Sequence, residues 1–499
     1  MDHVDVIVVG AGISGIGAGY HLQDKSPDRS YMILEGRADI GGTWDLFRYP
    51  GIRSDSDMYT LGYSFEPWTE AKAIADGPNI LAYVKRTAAK YGIDRHIRFG
   101  HHVTSAAWST QDARWTVTAL REGREVQYSC NFLFMCSGYY NYAQGHTPDF
   151  PGVADFAGQI IHPQFWPENL DYAGKKVVVI GSGATAVTIV PEMAKAAAHV
   201  TMLQRSPTYV VSRPAEDAVA NRLRALLPAK LAYGITRWKN VLFGMYFFRA
   251  ARKYPAQAKE RIIGMVRDQL GPDYDVATHF TPRYNPWDQR LCLVPDADLF
   301  DSIKAGSSSV VTDRIDHFDA AGIALESGKR IDADIVVTAT GLELQLLSDV
   351  AFTVDGQARD LSKTFNYKGM MYSDMPNLAS SFGYTNASWT LKADLTCGYV
   401  TRLLNTMKKR KMRQVTPRIA SDLEAMPFLD FSSGYVKRAM ERFPKQGNKQ
   451  PWQVHQNYAK DIMMLRFGSV DDEMEFSNPV AGSQSGPGSR AVEREPVTA

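Results

Sequence analysis

The sequence predicts an α/β protein with two Rossmann-like dinucleotide-binding domains, the second of which carries a helical insertion. Two apolar runs, beginning at Val4 and Val177, are each followed by a glycine-rich turn and a helical pattern. Between Ser212 and Leu270 the composition is helical. A chain of 499 residues also exceeds one hydrophobic core, so two or three domains are expected.

Composition excludes several classes of protein. The formal net charge of +2 gives no reason to expect a nucleic-acid partner. The four cysteines are far apart and form no Cys-x-x-Cys pair, which argues for a reducing, cytoplasmic compartment and against a redox-active dithiol. We predict no signal peptide, no membrane-spanning segment and no metal site.

The first glycine motif follows a predicted buried strand at residues 4–9. Gly10 allows the tight turn, Gly12 lets a pyrophosphate approach the backbone, and Gly15 lets the helix pack on the strand. Glu35 ends the second strand, where a carboxylate binds ribose hydroxyls. Strand, glycines, helix and acid in register predict a dinucleotide site.

The second motif differs at the ribose position. A strand at 177–180 leads into Gly181-Ser-Gly183-Ala-Thr-Ala186, and the next strand ends in Gln204-Arg205-Ser206 instead of an acid. A guanidinium and a hydroxyl there suit a 2′-phosphate. We therefore expect one site to take a dinucleotide with a free ribose, FAD, and the other to take NADPH.

Two further stretches concentrate residues near these sites. Residues 41–55 are predicted to form an ordered loop without regular structure, with Trp44, Arg48, Arg53 and Asp55 near the first cofactor; a plain surface loop is the alternative. Residues 156–167 link the two lobes, and the alternative there is an aromatic plug with a capping histidine.

The most apolar part of the insertion, residues 240–251, is flanked by basic residues. A packed helix with a partly exposed face is the favoured interpretation, and contact with a membrane surface is the alternative. The predicted boundaries are 1–142 and 342–480 for the two parts of the FAD domain, 143–176 for the linker, 177–211 and 289–341 for the two parts of the NADPH domain, 212–288 for the insertion and 481–499 for a disordered tail.

The pattern Phe156-x-Gly158-x-x-x-His162-x-x-x-Trp166-Pro167, between two dinucleotide motifs, resembles the fingerprint of type I (class B) Baeyer–Villiger flavin monooxygenases. Gly41-Gly42-x-Trp44 through Asp55 is similar to the second fingerprint of that family. Residues 284–290 and 383–389 are similar to its ethionamide-activating branch.

The resemblance implies an FAD- and NADPH-dependent enzyme that converts ketones to esters or lactones and oxygenates thioethers and thioamides. It implies a C4a-peroxyflavin stabilised by Arg290 and retained NADP+, with Asp55 as the carboxylate partner of Arg290. His162 is expected to anchor the linker rather than donate a proton. Gln289 stands where many relatives have Lys, so NADPH preference would depend on Arg205 and Ser206.

The expected contacts follow from the same resemblance. They are Gly10, Gly12, Ser14, Gly15, Glu35, Gly42, Thr43, Trp44, Leu46, Asp55 and Val103 for FAD; Arg53, Ser54, Asp55, Gly181, Ser182, Gly183, Ala184, Thr185, Ala186, Arg205 and Ser206 for NADP; and Asn386 and Trp389 for the substrate pocket. The partners would be a small ketone or sulfide and O2, in a monomer or weak homo-oligomer. A class B N- or S-monooxygenase without ketone oxidation and a non-oxygenating NADPH:acceptor flavoreductase are the alternatives.

Overall fold

The computed structural model describes residues 1–289, 291–420, 422–429 and 434–478. Arg290 and the predicted tail at 481–499 lie outside the described residues. The described chain builds two main sheets, and each predicted glycine motif lies at the end of a central strand of one of them. The predicted α/β fold with two dinucleotide-binding lobes is confirmed.

The first sheet has nine strands among the described residues. Its strand Asp2–Val9 pairs in parallel with Tyr31–Leu34 on one side and with Arg124–Met135 on the other. The last four residues of Asp2–Val9 are fully buried, as expected for a parallel strand covered on both faces. The order across the sheet is Gln357–Arg359, Ala351–Val354, His102–Ser109, Arg114–Arg121, Arg124–Met135, Asp2–Val9, Tyr31–Leu34 and Ile97–Arg98, with Leu378–Ser380 also paired to Arg124–Met135.

The second sheet is parallel and has five strands, in the order Ser308–Thr312, His199–Gln204, Lys176–Ile180, Ile335–Thr338 and Gln159–Ile161. The edge strand Gln159–Ile161 comes from the stretch predicted as a linker. It pairs with Ile335–Thr338, and buried Ile161 packs in the core of the second lobe. The fingerprint stretch is therefore part of the second sheet as well as a connection between the lobes.

The described helices are Ile13–Lys25, Thr43–Leu46, Met58–Leu61, Gly77–Lys90, Ala184–Met193, Ala218–Leu226, Ala229–Lys253, Pro255–Leu270, Val276–His279, Asp298–Lys304, Trp389–Arg410, Gly434–Ala439 and Tyr458–Asp461. The prediction that loop 41–55 has no regular element is wrong at Thr43–Leu46, where a one-turn helix fits between Gly42 and Pro50. The Trp389–Arg410 helix packs against Ile13–Lys25 and fills the core of the first lobe.

Short elements complete the chain. The 3₁₀ turns are Ile93–His96, Val153–Asp155, Pro163–Phe165, Leu346–Asp349, Leu361–Lys363 and Met440–Arg442, and Ile462–Phe467 is a π-helical turn. A three-stranded antiparallel sheet consists of Ile315–Asp319, Gly322–Leu325 and Arg330–Asp332. The remaining strands form two-stranded pairs, which are Val210–Arg213 with Cys292–Pro295, Tyr140–Gly145 with Leu342–Leu344, Asn366–Tyr367 with Met371–Tyr372, Gln414–Pro417 with Met474–Ser477 and Ala425–Pro427 with Lys445–Gly447.

The four cysteines are unbonded and buried. Burial raises the pKa of the Cys130 thiol to about 12, which keeps it protonated and unreactive at neutral pH. In the part of the chain that the structure describes, no helix has the length and apolar character needed to cross a bilayer.

Candidate active site

A cavity of about 1230 Å³ lies where the carboxyl ends of the central strands of both sheets meet. Val9 and Leu34 reach it from the first sheet, and Ile180 and Leu203 reach it from the second. Ligands in open α/β folds bind at this edge because the loops that follow the strands converge there. The two predicted cofactor sites therefore open onto one shared space.

In the first glycine motif, Gly10 and Gly15 leave no room for a side chain, whereas Gly12 does. Gly10 has a φ of +102°, and a Cβ there would lie 2.7 Å from the carbonyl oxygen of Cys136. A Cβ on Gly15 would lie 1.8 Å from the carbonyl oxygen of Gly10. At Gly12 the nearest atom would be the Cα of Gly42, at 3.6 Å. The N-terminus of the Ile13–Lys25 helix thus faces the cavity with its unpaired amides, which fits a pyrophosphate.

Glu35 lies at the predicted ribose position, on the cavity wall. The amide of Ala11 donates to its Oε2 at 2.6 Å, and the amide of Arg37 donates to its Oε1 at 2.8 Å. Burial raises the pKa of Glu35 above its ordinary value. Because each carboxylate oxygen has a second lone pair, Glu35 can order the glycine turn and also accept from a ribose hydroxyl.

The loop at residues 41–55 divides its arginines between the cavity and the surface. Exposed Arg48 bonds to the carbonyl of Asp45 and lies 3.2 Å from Glu168, and it is not among the residues that line the cavity.

Arg37 was not predicted as a site residue. Its Nε and Nη2 donate to Asp45 Oδ2 at 3.0 and 2.6 Å, and it lines the cavity beside Tyr142.

Arg53 ties the two lobes together at the cavity. Its Nη1 donates at 2.5 Å to Oδ2 of Asp298, which begins a helix of the second lobe, and its side chain is only 10% exposed. Burial raises the pKa of Asp298, and the guanidinium of Arg53 opposes that shift. The loop therefore presents Arg53, Ser54 and Asp55 to the cavity from a fixed position.

The second glycine motif repeats the first in outline. Gly181 has a φ of +139°, and a Cβ there would lie 2.3 Å from the carbonyl oxygen of Ala339. A Cβ on Gly183 would meet nothing within 4 Å, so that backbone is open to the cavity. Ser182 is held by a hydrogen bond from its Oγ to the carbonyl oxygen of Ser206, at 3.1 Å. This cradle also fits a dinucleotide phosphate.

The predicted 2′-phosphate site is more mixed in charge than the sequence indicated. Arg205 and Ser206 are exposed and line the cavity. Arg314 lines it as well and adds a second guanidinium. Asp313 lines the cavity too, and its amide donates to the carbonyl oxygen of Gln204 at 3.0 Å. Neither Asp313 nor Arg314 has a sequence signal, because they reach the site from the neighbouring strand of the sheet.

The fingerprint residues lie behind the cavity. Phe156 packs against Phe318, and a Cβ on Gly158 would lie 2.4 Å from the carbonyl oxygen of Asp334. The Nδ1 of His162 accepts from the amide of Gln164 at 3.2 Å, so the ring carries its proton on Nε2, which lies 3.3 Å from the carbonyl oxygen of Gly341. Burial lowers the pKa of His162. These contacts support an anchoring role.

Of the two residues predicted for the substrate pocket, Trp389 lines the cavity and Asn386 does not. The indole of Trp389 donates to Ser14 Oγ at 2.7 Å, stacks on Tyr139 and lines the cavity. Asn386 is not among the lining residues and instead donates to the carbonyl oxygen of Gln456 at 3.0 Å. Tyr384, which the sequence did not single out, lines the cavity and donates to buried Asp461 at 2.6 Å.

The cavity wall includes most of the predicted cofactor residues. Of those, the residues on it are Gly10, Gly12, Ser14, Glu35, Gly42, Thr43, Trp44, Arg53, Ser54, Asp55, Val103, Gly181, Ser182, Gly183, Ala184, Thr185, Arg205 and Ser206. Gly15, Leu46 and Ala186 are not on the wall. Gln289 and Cys292, which bracket Arg290 in the sequence, line the cavity too.

Two glycine cradles at one cavity define a protein with two dinucleotide-binding sites, and comparison with known families identifies the kind of enzyme. Residues 3–242 match the model of the flavin-binding monooxygenase-like family. The FAD-containing monooxygenase EthA of Mycobacterium tuberculosis is 56% identical over 474 residues, which is 95% of this chain and 97% of that protein. The chain belongs to the flavin-binding monooxygenase-like family, and the predicted enzyme class is confirmed.

Within that family the chain is similar to EthA monooxygenases over nearly its whole length. The EthA of Mycolicibacterium smegmatis is 54% identical, with 95% of this chain and 96% of that protein covered. Among solved structures, a cyclohexanone monooxygenase with bound ε-caprolactone superposes with a TM-score of 0.75 at 20% identity, over 96% of this chain and 100% of that one. An oxidized steroid monooxygenase bound to NADP gives 0.69 at 23%, over 84% and 88%. These structures share the fold.

Proposed function

We propose that this enzyme is an FAD- and NADPH-dependent Baeyer–Villiger monooxygenase. It inserts one oxygen atom of O2 next to a ketone carbonyl to give an ester or lactone, and it oxygenates the sulfur of thioethers and thioamides. The observation that carries the proposal is that the two dinucleotide cradles line the same cavity as Gln289 and Cys292. The EthA and Baeyer–Villiger relatives support it.

The first cradle would hold FAD, with the N-terminus of the Ile13–Lys25 helix available to the pyrophosphate and Glu35 available to the ribose. The second cradle would hold NADPH, with Arg205 and Ser206 available to the 2′-phosphate. When bound and reduced, the flavin would supply activated oxygen. The protein holds the two cofactors and the substrate in one space and limits access of water.

Arg290 supplies a permanent positive charge to the oxygen that becomes negative during transfer. A guanidinium suits this role because it stays protonated and does not donate its proton to the oxygen. Asp55 lies on the cavity wall in the same loop as Arg53, and its carboxylate orients the guanidinium of Arg290. The Arg53–Asp298 ion pair keeps that loop in place when the lobes meet.

The substrate occupies the part of the cavity bounded by aromatic side chains. Trp389, stacked on Tyr139, and Tyr384, bonded to Asp461, form a wall with fixed orientation. An apolar wall with few polar groups suits small ketones and sulfides better than charged metabolites.

The test is Arg290→Ala, with Arg290→Lys as the control that keeps a positive charge. We expect flavin reduction by NADPH to continue in both variants, and ester formation from a ketone to fall by about 10²-fold or more in Arg290→Ala. Unchanged ester yield would remove Arg290 from the mechanism. A native enzyme that oxygenates sulfides but gives no ester from any ketone would favour the S-monooxygenase alternative.

A further inference from the structure

The helical insertion contains a long segment without acidic residues. From Ala218 to Lys259 the chain has no Asp or Glu and carries nine Arg and Lys residues. Among these, Lys239 pairs with Asp217, Arg252 with Asp288 and buried Arg237 with Asp394, and all three partners lie outside the segment. The segment therefore forms a region of high positive charge in a protein whose net charge is only +2.

One face of its long helix, Ala229–Lys253, is fixed to the first lobe. The hydroxyl of Tyr233 donates to the carbonyl oxygen of Tyr63 at 2.9 Å. Buried Arg237 donates to the carbonyl oxygens of Tyr59 and Gly62, each at 2.8 Å. These contacts hold the helix in one orientation and direct its opposite face outward.

That outward face is apolar. The side chains on it recur every three or four residues, are between 43% and 73% exposed, and are Leu231, Ile235, Trp238, Leu242 and Tyr246, which we call the exposed stripe. A row of large apolar side chains left in water along more than four helical turns is unusual for a protein surface and marks a binding face.

A second element extends the stripe. The ring of Trp238 lies 5.9 Å from that of Tyr458, and a cavity of about 350 Å³ between them is also lined by Lys230 and Arg466. The turn that contains Arg466 exposes Met463 and Phe467 to 64% and 67%. Apolar side chains from two elements are thus bordered by cations, which include Lys230 and Arg466 and, further along the helix, exposed Arg249.

We propose that the exposed stripe docks this enzyme on the surface of an anionic lipid bilayer. An amphipathic helix with Trp and Leu on one face and Lys and Arg beside it lies in the plane of the interface, with its apolar side chains among the acyl chains. The basic residues match the anionic headgroups. The absence of acidic residues from 218 to 259 favours this partner over an acidic-and-basic protein surface. The inference is independent of the reaction proposed above.

The experiment is co-sedimentation of the holoenzyme with vesicles of phosphatidylcholine alone and of phosphatidylcholine with about one-third phosphatidylglycerol. We expect binding to the anionic vesicles to be at least about tenfold stronger, and to weaken as the salt concentration is raised. The double variant Leu242→Asp/Tyr246→Asp should lose at least about tenfold of that binding while it keeps its bound flavin and its turnover of a soluble ketone.

The control is Leu120→Asp, which places one such negative charge at an exposed leucine on the first sheet, 38% exposed, and should bind vesicles like the native enzyme. Equal binding to both kinds of vesicle, or native binding by the stripe variant, would overturn the proposal. Analytical ultracentrifugation tests whether a second copy of this chain binds to the exposed stripe instead. A native dimer that the stripe variant dissociates would identify the face as a contact between two copies and would also overturn it.

Discussion

A buried ion pair behind the cavity wall gives a prediction with a definite size. Lys392 Nζ lies 2.9 Å from Asp461 Oδ2, with the two side chains 3% and 0% exposed. Tyr384, which lines the cavity, donates to the same carboxylate oxygen. The substitution Lys392→Met removes the ammonium and keeps a flexible side chain of similar length.

The pair contributes a large electrostatic term. Two unit charges at 2.9 Å attract by about 6 kcal/mol at an effective dielectric constant of about 20. Removing one partner leaves the carboxylate of Asp461 buried with the hydroxyl of Tyr384 as its donor, and breaking a buried pair costs about 3–5 kcal/mol. Burial lowers the pKa of Lys392, and the carboxylate of Asp461 opposes this shift. We expect Lys392→Met to lower the free energy of unfolding by about 4 kcal/mol.

The measurement is urea unfolding of the holoenzyme, followed by tryptophan fluorescence and by release of flavin. The control is the double variant Lys392→Met/Asp461→Asn, which removes both charges and leaves an amide oxygen as acceptor for Tyr384. The double variant should regain most of the loss and end within about 2 kcal/mol of the native protein. A loss below about 1 kcal/mol for Lys392→Met, or additive losses in the double variant, would refute the reasoning.

Three further predictions concern the cradles and the anchor. Gly12→Ala should change the free energy of unfolding of the apoprotein by no more than about 0.5 kcal/mol, because its Cβ meets nothing closer than 3.6 Å, yet it should weaken FAD binding at least about tenfold in flavin titrations. Gly15→Ala places a Cβ 1.8 Å from a carbonyl oxygen and should lower the stability of the apoprotein as well. Equal stabilities of the two variants would contradict this packing. Arg205→Ala should raise the KM for NADPH by about tenfold or more and that for NADH much less, and equal changes in steady-state kinetics would place the 2′-phosphate elsewhere. Burial lowers the pKa of His162 in the folded protein below its ordinary value of 6.5, so the unfolded chain takes up the proton first as the pH falls below 6.5. The free energy of unfolding therefore decreases with falling pH, by at most about 1.4 kcal/mol per pH unit from this residue. His162→Gln should show a smaller loss of thermal stability over the same pH range, and an unchanged loss would mean that this ring does not titrate.

Sequence reasoning succeeded where the signal was local. Strand, glycines, helix and acid follow one another within residues 4–35, and the structure forms these elements in that order with Glu35 on the cavity wall, while the cofactor roles of these residues stay predictions. The same holds for residues 177–206. The roles of Arg290 and Asp55 in the reaction stay predictions.

Local patterns failed where the second partner is far away in the chain. Arg48 and Arg53 are five positions apart in one loop and look alike in the sequence, yet Arg48 reaches Glu168 in solvent while Arg53 is held by Asp298 at the cavity. Residues 159–161 belong to the predicted linker because they stand between the two glycine motifs. Three residues are too few for a strand signal, and the structure forms the strand through pairing with Ile335–Thr338.

The sequence by itself determined the two glycine motifs, the fold class and the family, because each depends on residues that are neighbours along the chain. The tertiary structure decided which side chains share the cavity, which arginine joins the lobes, that Tyr384 is tied to a buried Asp461–Lys392 pair, and that one face of the Ala229–Lys253 helix is left in water. Burial and ion pairing depend on distances between residues far apart in sequence, and those distances exist only after the sheets have formed.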